Sequence, residues 1–181
     1  RIVAIAGGDL LSTREINIHT IKLTNVTNPN VLFIPTAAND SNEYIETITK
    51  EFNLLKCEVK PLCLCSKTYN DEDIENLLTW ADIIYVGGGD TISMMKIWKE
   101  YLLDKKLKNI YENDLAVLTG ISAGAICWFN CGHSNSKSFQ SVDNRDYCWA
   151  NEMLDIIHLA YCPHYDDDGR KSFDEMLIEK N

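Results

Sequence analysis

Short apolar runs alternate with helical patterns along most of the chain, and this alternation restricts the fold more than any other feature. The runs are apolar throughout rather than at every second residue, which is typical of strands buried on both faces. Between them, apolar residues such as Ile48, Phe52 and Leu55 recur at helical spacing. Five strands are predicted, at Arg1–Ala6, Val31–Ile34, Glu58–Leu64, Asp82–Val86 and Leu115–Thr119.

Regular alternation of strands and helices predicts an α/β fold, a three-layer sandwich with a mostly parallel central sheet. Pro61 favours an edge position for the third strand, because proline cannot donate to a sheet. The Ser12 to Glu15 spacing predicts a capping box at the start of the first helix. From Cys131 to Tyr147, glycine and polar residues predict a long loop region. The length of 181 residues suits one domain, 1–181.

Charge and cysteine usage exclude several classes of function. A formal net charge of −10 argues against nucleic-acid and membrane partners, since both are anionic. The seven cysteines include no Cys-x-x-Cys pair and no spacing typical of zinc, so we expect reduced thiols and no metal. No basic-then-apolar stretch stands at the start of the given sequence and no apolar run is long enough to span a bilayer, so we expect neither a leader nor a membrane span. We therefore expect a cytoplasmic protein.

Gly120-Ile121-Ser122-Ala123-Gly124 matches the G-x-S-x-G pattern. It follows a predicted strand and opens a helix, which is the context that the pattern requires for a nucleophile. Small neighbours let a serine sit on a sharp turn with its hydroxyl exposed above the sheet. The next amide, that of Ala123, would face the developing oxyanion. The alternative is a tight turn that needs small residues only for packing.

Gly87-Gly88-Gly89 closes the fourth predicted strand. Bare backbone at that edge of the sheet could supply a second oxyanion donor or cradle a phosphate. The lysine of a Walker motif is absent, which weakens the phosphate interpretation. A simple turn between strand and helix is the third alternative.

A serine nucleophile needs a base, and four histidines are available. His19 lies on the first predicted helix, His133 in the predicted loop region, and His158 within an apolar stretch. His164 follows the end of that stretch, where side chains reach the edge of a sheet. Its position favours His164 but leaves the choice open.

Three motifs in this order resemble the dipeptidase E family, whose relatives include cyanophycinase. They are Ile84–Thr91 (IYVGGGDT), Gly120–Ala125 (GISAGA) and Pro163-His164-Tyr165, with Phe33–Ala37 matching an earlier strand. The resemblance covers essentially the whole chain. It implies a sheet like that of class I glutamine amidotransferases and flavodoxin, carrying a serine hydrolase.

Carried over by position, the resemblance makes Ser122 the nucleophile and His164 the base. It assigns the oxyanion hole to the amides of Gly89 and Ala123. It implies cleavage of small peptides, with N-terminal aspartate as the preferred residue, through an acyl-enzyme and without a cofactor. A homodimer is left open.

The sequence departs from the family at two places. The family has an acidic residue where this chain has Asn135, which can orient an imidazole but cannot supply negative charge. Asp143 or Asp146 is the alternative third member of the triad. Relatives also continue beyond the helix expected near Arg170, so we expect the chain to lack the family's C-terminal segment. These departures motivate a second hypothesis, a degenerate member that binds a ligand or partner without catalysis.

An enzyme that prefers aspartate needs a cation near the substrate carboxylate. Lys137, Arg145 and Arg170 are the candidates, and the sequence does not choose among them.

Overall fold

The computed structural model describes residues 1–140 and 147–180. Its central feature is a five-stranded sheet in which every pair of neighbours runs parallel. The strands are β1 (Ile2–Ile5), β2 (Asn30–Ile34), β3 (Glu58–Pro61), β4 (Ile83–Val86) and β5 (Val117–Ile121). Their order across the sheet is β1-β5-β4-β2-β3. The predicted parallel α/β fold is confirmed.

Helices cover both faces of this sheet, and the central strands show why. Along β2, Val31 and Phe33 point into one apolar cluster, while Leu32 and Ile34 point into another. The first cluster lies under α1 (Leu10–Thr24) and α2 (Asn42–Leu54). The second lies under α3 (Asp71–Trp80), α4 (Thr91–Glu100) and α5 (Leu103–Glu112). Burial on both faces explains why the strands read as continuous apolar runs.

Two local predictions concern the position of β3 and the start of α1. β3 lies at the edge of the sheet, as Pro61 predicts, although it ends at that residue rather than at Leu64. The capping box of α1 begins at Asp9, so the prediction of Ser12 as its first member is wrong. The Asp9 carboxylate accepts from the Ser12 amide at 2.8 Å, and the Ser12 hydroxyl accepts from the Asp9 amide at 2.9 Å.

A second, smaller sheet follows the main one. It contains β6 (Phe129–Ser134), β7 (Cys148–Ala150) and β8 (Ile157–Tyr161), in the order β7-β6-β8. Three further helices are α6 (Ala123–Ile126), α7 (Ser136–Gln140) and α8 (Ser172–Lys180). The predicted loop region is therefore wrong over β6 and α7. β6 was not predicted because it contains the polar residues His133 and Ser134, which are buried rather than exposed.

The topology brings distant parts of the chain together at one edge. β5 lies between β1 and β4 in the sheet, so the segments that follow these three parallel strands meet at their carboxyl ends. Those segments are Gly7-Gly8, Gly87–Gly89 and the turn at Ser122. The turn after β8 adds His164, whose amide donates to the carbonyl of Ala6 at 3.2 Å. This edge is where α/β proteins bind ligands.

Candidate active site

Ser122 occupies a strained turn between β5 and α6. Its backbone angles are φ 54° and ψ −113°, an arrangement that L-residues rarely adopt. Neighbouring glycines make the turn possible: a Cβ at Gly120 would lie 2.1 Å from the carbonyl oxygen of Gly124, and one at Gly124 2.3 Å from that of Val86. The small residues of the G-x-S-x-G pattern thus let backbone pack directly on backbone.

His164 lies beside this serine. Its Nε2 is 3.0 Å from the Ser122 Oγ, which is a hydrogen-bonding distance. The ring packs against Gly7, where a Cβ would come within 2.3 Å of ring atoms. No role was predicted for Gly7 from the sequence. Its lack of a side chain is what leaves room for the imidazole.

The environment of His164 favours a neutral ring. Burial lowers the pKa of His164 and the charge of Arg170 lowers it further, while Asp167 acts in the opposite direction. A neutral imidazole whose Nδ1 carries the proton can accept the hydroxyl proton of Ser122 at Nε2. The pair therefore has the geometry and the protonation state for base-assisted nucleophilic attack.

Two backbone amides were predicted to form the oxyanion hole, those of Gly89 and Ala123. Within residues 1–140 and 147–180, neither the Gly89 amide nor the Ala123 amide donates a hydrogen bond to another residue. Gly89 has φ 139°, and a Cβ there would lie 2.0 Å from the carbonyl oxygen of Ala37. The preceding residue, Gly88, approaches Ser122 closely, since a Cβ at Gly88 would lie 3.3 Å from the serine Cβ.

The predicted third member of the triad is not joined to His164 by a hydrogen bond. The carbonyl of Asn135 accepts from the amide and the hydroxyl of Ser138, at 2.9 and 2.7 Å. The carboxylate that faces the His164 Nδ1 is that of Asp167, with its Oδ2 at 3.7 Å. Asp167 was not predicted from the sequence, because its approach to the ring depends on the left-handed backbone of His164. Asp143 and Asp146 lie outside the described residues.

The other histidines lie elsewhere. His19 is exposed on α1, and the side chain of His158 is 81% exposed and pairs with Asp155. His133 is fully buried on β6, and burial together with the charge of Arg170 lowers its pKa to about 4. Its Nε2 lies 3.0 Å from the Ser172 Oγ, so the ring contacts this serine rather than Ser122.

Arg170 is a buried cation near the pair. It is 4% exposed, and its Nη1 donates to the carbonyl oxygen of His133 at 2.8 Å and lies 3.2 Å from the ring Nδ1. Its guanidinium lies over the Tyr147 ring at 4.4 Å. The Nε has no hydrogen-bond partner among the described residues, and Arg170 forms no ion pair with a described carboxylate. Of the other candidate cations, Lys137 lies on α7, and Arg145 lies outside the described residues.

A cavity of about 500 Å³ adjoins the candidate oxyanion hole. It is lined by Gly89, the Thr36–Asn39 turn, Asp90, Ser93 and Phe139, among others. In the part of the chain that the structure describes, no three histidine, cysteine or acidic side chains are grouped as metal ligands would be. No helix in that part has the length and apolar character needed to cross a membrane.

Known proteins resemble this chain in sequence and in fold. The model of peptidase family S51 matches residues 2–180. The uncharacterized peptidase YgaJ of Bacillus subtilis (strain 168) is 34% identical over 154 residues, which are 84% of this chain. The chain spans 62% of the length of that relative.

Two solved structures share the fold. A Listeria monocytogenes EGD-e protein described as a peptidase E has a TM-score of 0.67 and 22% identity, over 99% of this chain and 85% of its own. A peptidase from an acI-B1 actinobacterium also has a TM-score of 0.67, with 23% identity over 98% of this chain and 74% of its own. With the family match over almost its full length, this chain belongs to peptidase family S51.

Proposed function

We propose that this protein is a serine peptidase that cleaves small peptides through an acyl-enzyme. The observation that carries the proposal is the 3.0 Å separation of the Ser122 Oγ and the His164 Nε2 at a strained strand-to-helix turn. Membership of family S51 supports a peptidase, and the free amides of Gly89 and Ala123 support an oxyanion hole. None of the seven cysteines forms a disulfide with another described residue, which supports a reducing compartment such as the cytoplasm.

In the proposed mechanism, His164 takes the hydroxyl proton as Ser122 attacks the scissile carbonyl. The amides of Gly89 and Ala123 bind the oxyanion that forms. His164 then gives its proton to the leaving amine, and the acyl group remains on Ser122. Water then attacks the ester while His164 takes one of its protons, and the ring passes that proton to the Ser122 oxygen as the acid product leaves.

The proposal extends to a substrate with an acidic side chain, such as an N-terminal aspartate. Arg170 supports this extension because it is buried without a described carboxylate partner, and a buried charge without a counterion is costly. A substrate carboxylate would supply that counterion. The attraction between this carboxylate and the Arg170 guanidinium would be strongest where water is excluded.

A panel of dipeptides tests both parts. The purified protein should hydrolyse Asp-Leu faster than Ala-Leu, and Arg170→Gln should reduce the ratio of the two kcat/KM values by about tenfold or more, the cost of one charge-assisted contact. An unchanged ratio in Arg170→Gln would contradict the preference without touching the mechanism.

The matched control for the nucleophile is an exposed serine. Ser122→Ala should abolish hydrolysis, whereas Ser66→Ala should not, since the amide and hydroxyl of Ser66 bond to the Asp40 carboxylate rather than to His164. If the folded protein hydrolyses no peptide in the panel and Ser122→Ala changes nothing, the hypothesis of a ligand-binding member without catalysis takes its place.

A further inference from the structure

We infer that Asp167 is the positioning residue of this site, which orients His164 and stabilises its protonated form during attack by Ser122. The inference rests on the proposed function. Its starting point is geometric: Asp167 Oδ2 lies 3.7 Å from His164 Nδ1, on the side of the ring turned away from Ser122. Asn135, which occupies the family's acidic position, makes no hydrogen bond with His164 among the described residues.

The backbone holds the two side chains in this relation. His164 has φ 52°, in the left-handed region, which turns the chain sharply after β8. The Asp167 amide donates to the His164 carbonyl at 2.9 Å and closes the turn. The imidazole is itself fixed by the contact with Gly7 and by the bond from its own amide to Ala6. A carboxylate three residues later therefore returns to the Nδ1 side of the ring.

The charged groups around His164 indicate how the Asp167 carboxylate would act. Burial and Arg170 both lower the pKa of His164 and so oppose the imidazolium that forms when the ring takes a proton. Asp167 is the group that acts against them. Without substrate, the distance of 3.7 Å between the Asp167 Oδ2 and the His164 Nδ1 is longer than a hydrogen bond. It would shorten once the ring is protonated.

The carboxylate is 68% exposed, which limits the size of the effect. Exposed ion pairs are weak because water screens them, so Asp167→Asn should lower kcat/KM by roughly two- to fivefold rather than by the factor of a buried triad acid. The loss should fall on kcat, since the imidazolium exists in the transition state and not in the bound substrate.

The chain provides matched controls on either side. Asp166 and Asp168 are also aspartates, and neither forms an ion pair with His164 in the described part of the chain. Asp166→Asn and Asp168→Asn remove the same charge from the same turn, so they separate a specific contact from a general loss of negative potential. Asp167→Glu keeps the charge and should retain most of the activity.

The experiment combines kinetics with a histidine titration by NMR, in which His164→Gln identifies the resonance. Asp167→Asn should lower both the kcat and the pKa of the His164 ring, while Asp166→Asn and Asp168→Asn should leave both close to the parent values. Equal effects of the three variants in an active protein would overturn the positioning role alone. Hydrolysis that survives Ser122→Ala would overturn the proposed function, and the positioning role with it.

Discussion

At the scale of single residues, the proposed chemistry depends on one pair of side chains. Ser122 and His164 lie 42 positions apart in the sequence, yet Gly7, the carbonyl of Ala6 and the strained serine turn fix their side chains at hydrogen-bonding distance. Each of these supports is local backbone geometry rather than a large apolar contact. Small changes at these positions should therefore affect activity more than stability.

Replacement of His164 tests its assignment as the base. His164→Gln should lower kcat/KM by at least about a thousandfold, because loss of a general base leaves the serine hydroxyl protonated. His158→Gln is the control, since that side chain is exposed and bonds to Asp155. Hydrolysis kinetics check the prediction, and comparable losses in the two variants would contradict the assignment.

The pH profile gives a second test at this scale. The base must be neutral, so kcat/KM should fall as pH drops through the pKa of His164. Burial and Arg170 lower that pKa, and the acidic limb should therefore lie below the ordinary histidine value of about 6.5. A limb above that value, measured on the parent protein, would contradict the described surroundings of the ring.

At the scale of elements, helix α6 depends on glycine for its contact with the sheet. A side chain at Gly124 would meet the Val86 carbonyl of β4 at 2.3 Å, and backbone there cannot move aside. Gly124→Ala should therefore destabilise the protein by roughly 3 kcal/mol or more. At Gly88, a Cβ would meet the Ser122 Cβ at 3.3 Å. Gly88→Ala should therefore destabilise the protein less than Gly124→Ala but reduce its activity more. Urea denaturation compares the two, and equal midpoints would contradict the prediction.

The elements also show where sequence reasoning succeeds. Buried strands such as β4 are apolar on both faces, so their composition is sufficient to find them. β6 is different, because its buried His133 and Ser134 form hydrogen bonds to Ser172 and Thr91, which only the tertiary structure brings near. A polar strand of this kind resembles a loop in sequence, which is why the second sheet was missed.

At the scale of the whole molecule, the buried His133 ties stability to pH. Its pKa is about 4 in the folded protein, against about 6.5 in an unfolded chain. The unfolded state thus binds an extra proton between these values, and stability should fall by up to about 3 kcal/mol as pH drops from about 6.5 to 4.

Replacing His133 tests whether this residue causes the loss of stability at low pH. His133→Gln should lower stability at pH 7, because the contacts of the ring Nδ1 with Arg170 and of Nε2 with Ser172 change, but it should flatten the dependence of stability on pH between 6.5 and 4. Chemical denaturation at several pH values measures this. A slope equal to that of the parent would assign the acid sensitivity to other groups.

The location of the site could be predicted from the sequence, because the carboxyl ends of parallel strands share one edge of a sheet. The residue on the Nδ1 side of the imidazole, Asp167, could not be predicted in this way. Asp167 faces His164 only because the histidine adopts a left-handed backbone, and no residue pattern in Pro163-His164-Tyr165 indicates that conformation. The role of Arg170 was open for the same reason, since its burial depends on β6 and Tyr147.

The most direct test of the central claim is covalent labelling of the folded protein with a fluorophosphonate, followed by mapping of the modified residue by mass spectrometry. An activated serine attacks the probe and keeps its phosphonyl group. We expect a single label on Ser122, lost in Ser122→Ala, greatly slowed in His164→Gln and retained in Ser66→Ala. A folded protein that takes no label, or takes it equally in Ser122→Ala, would contradict the account.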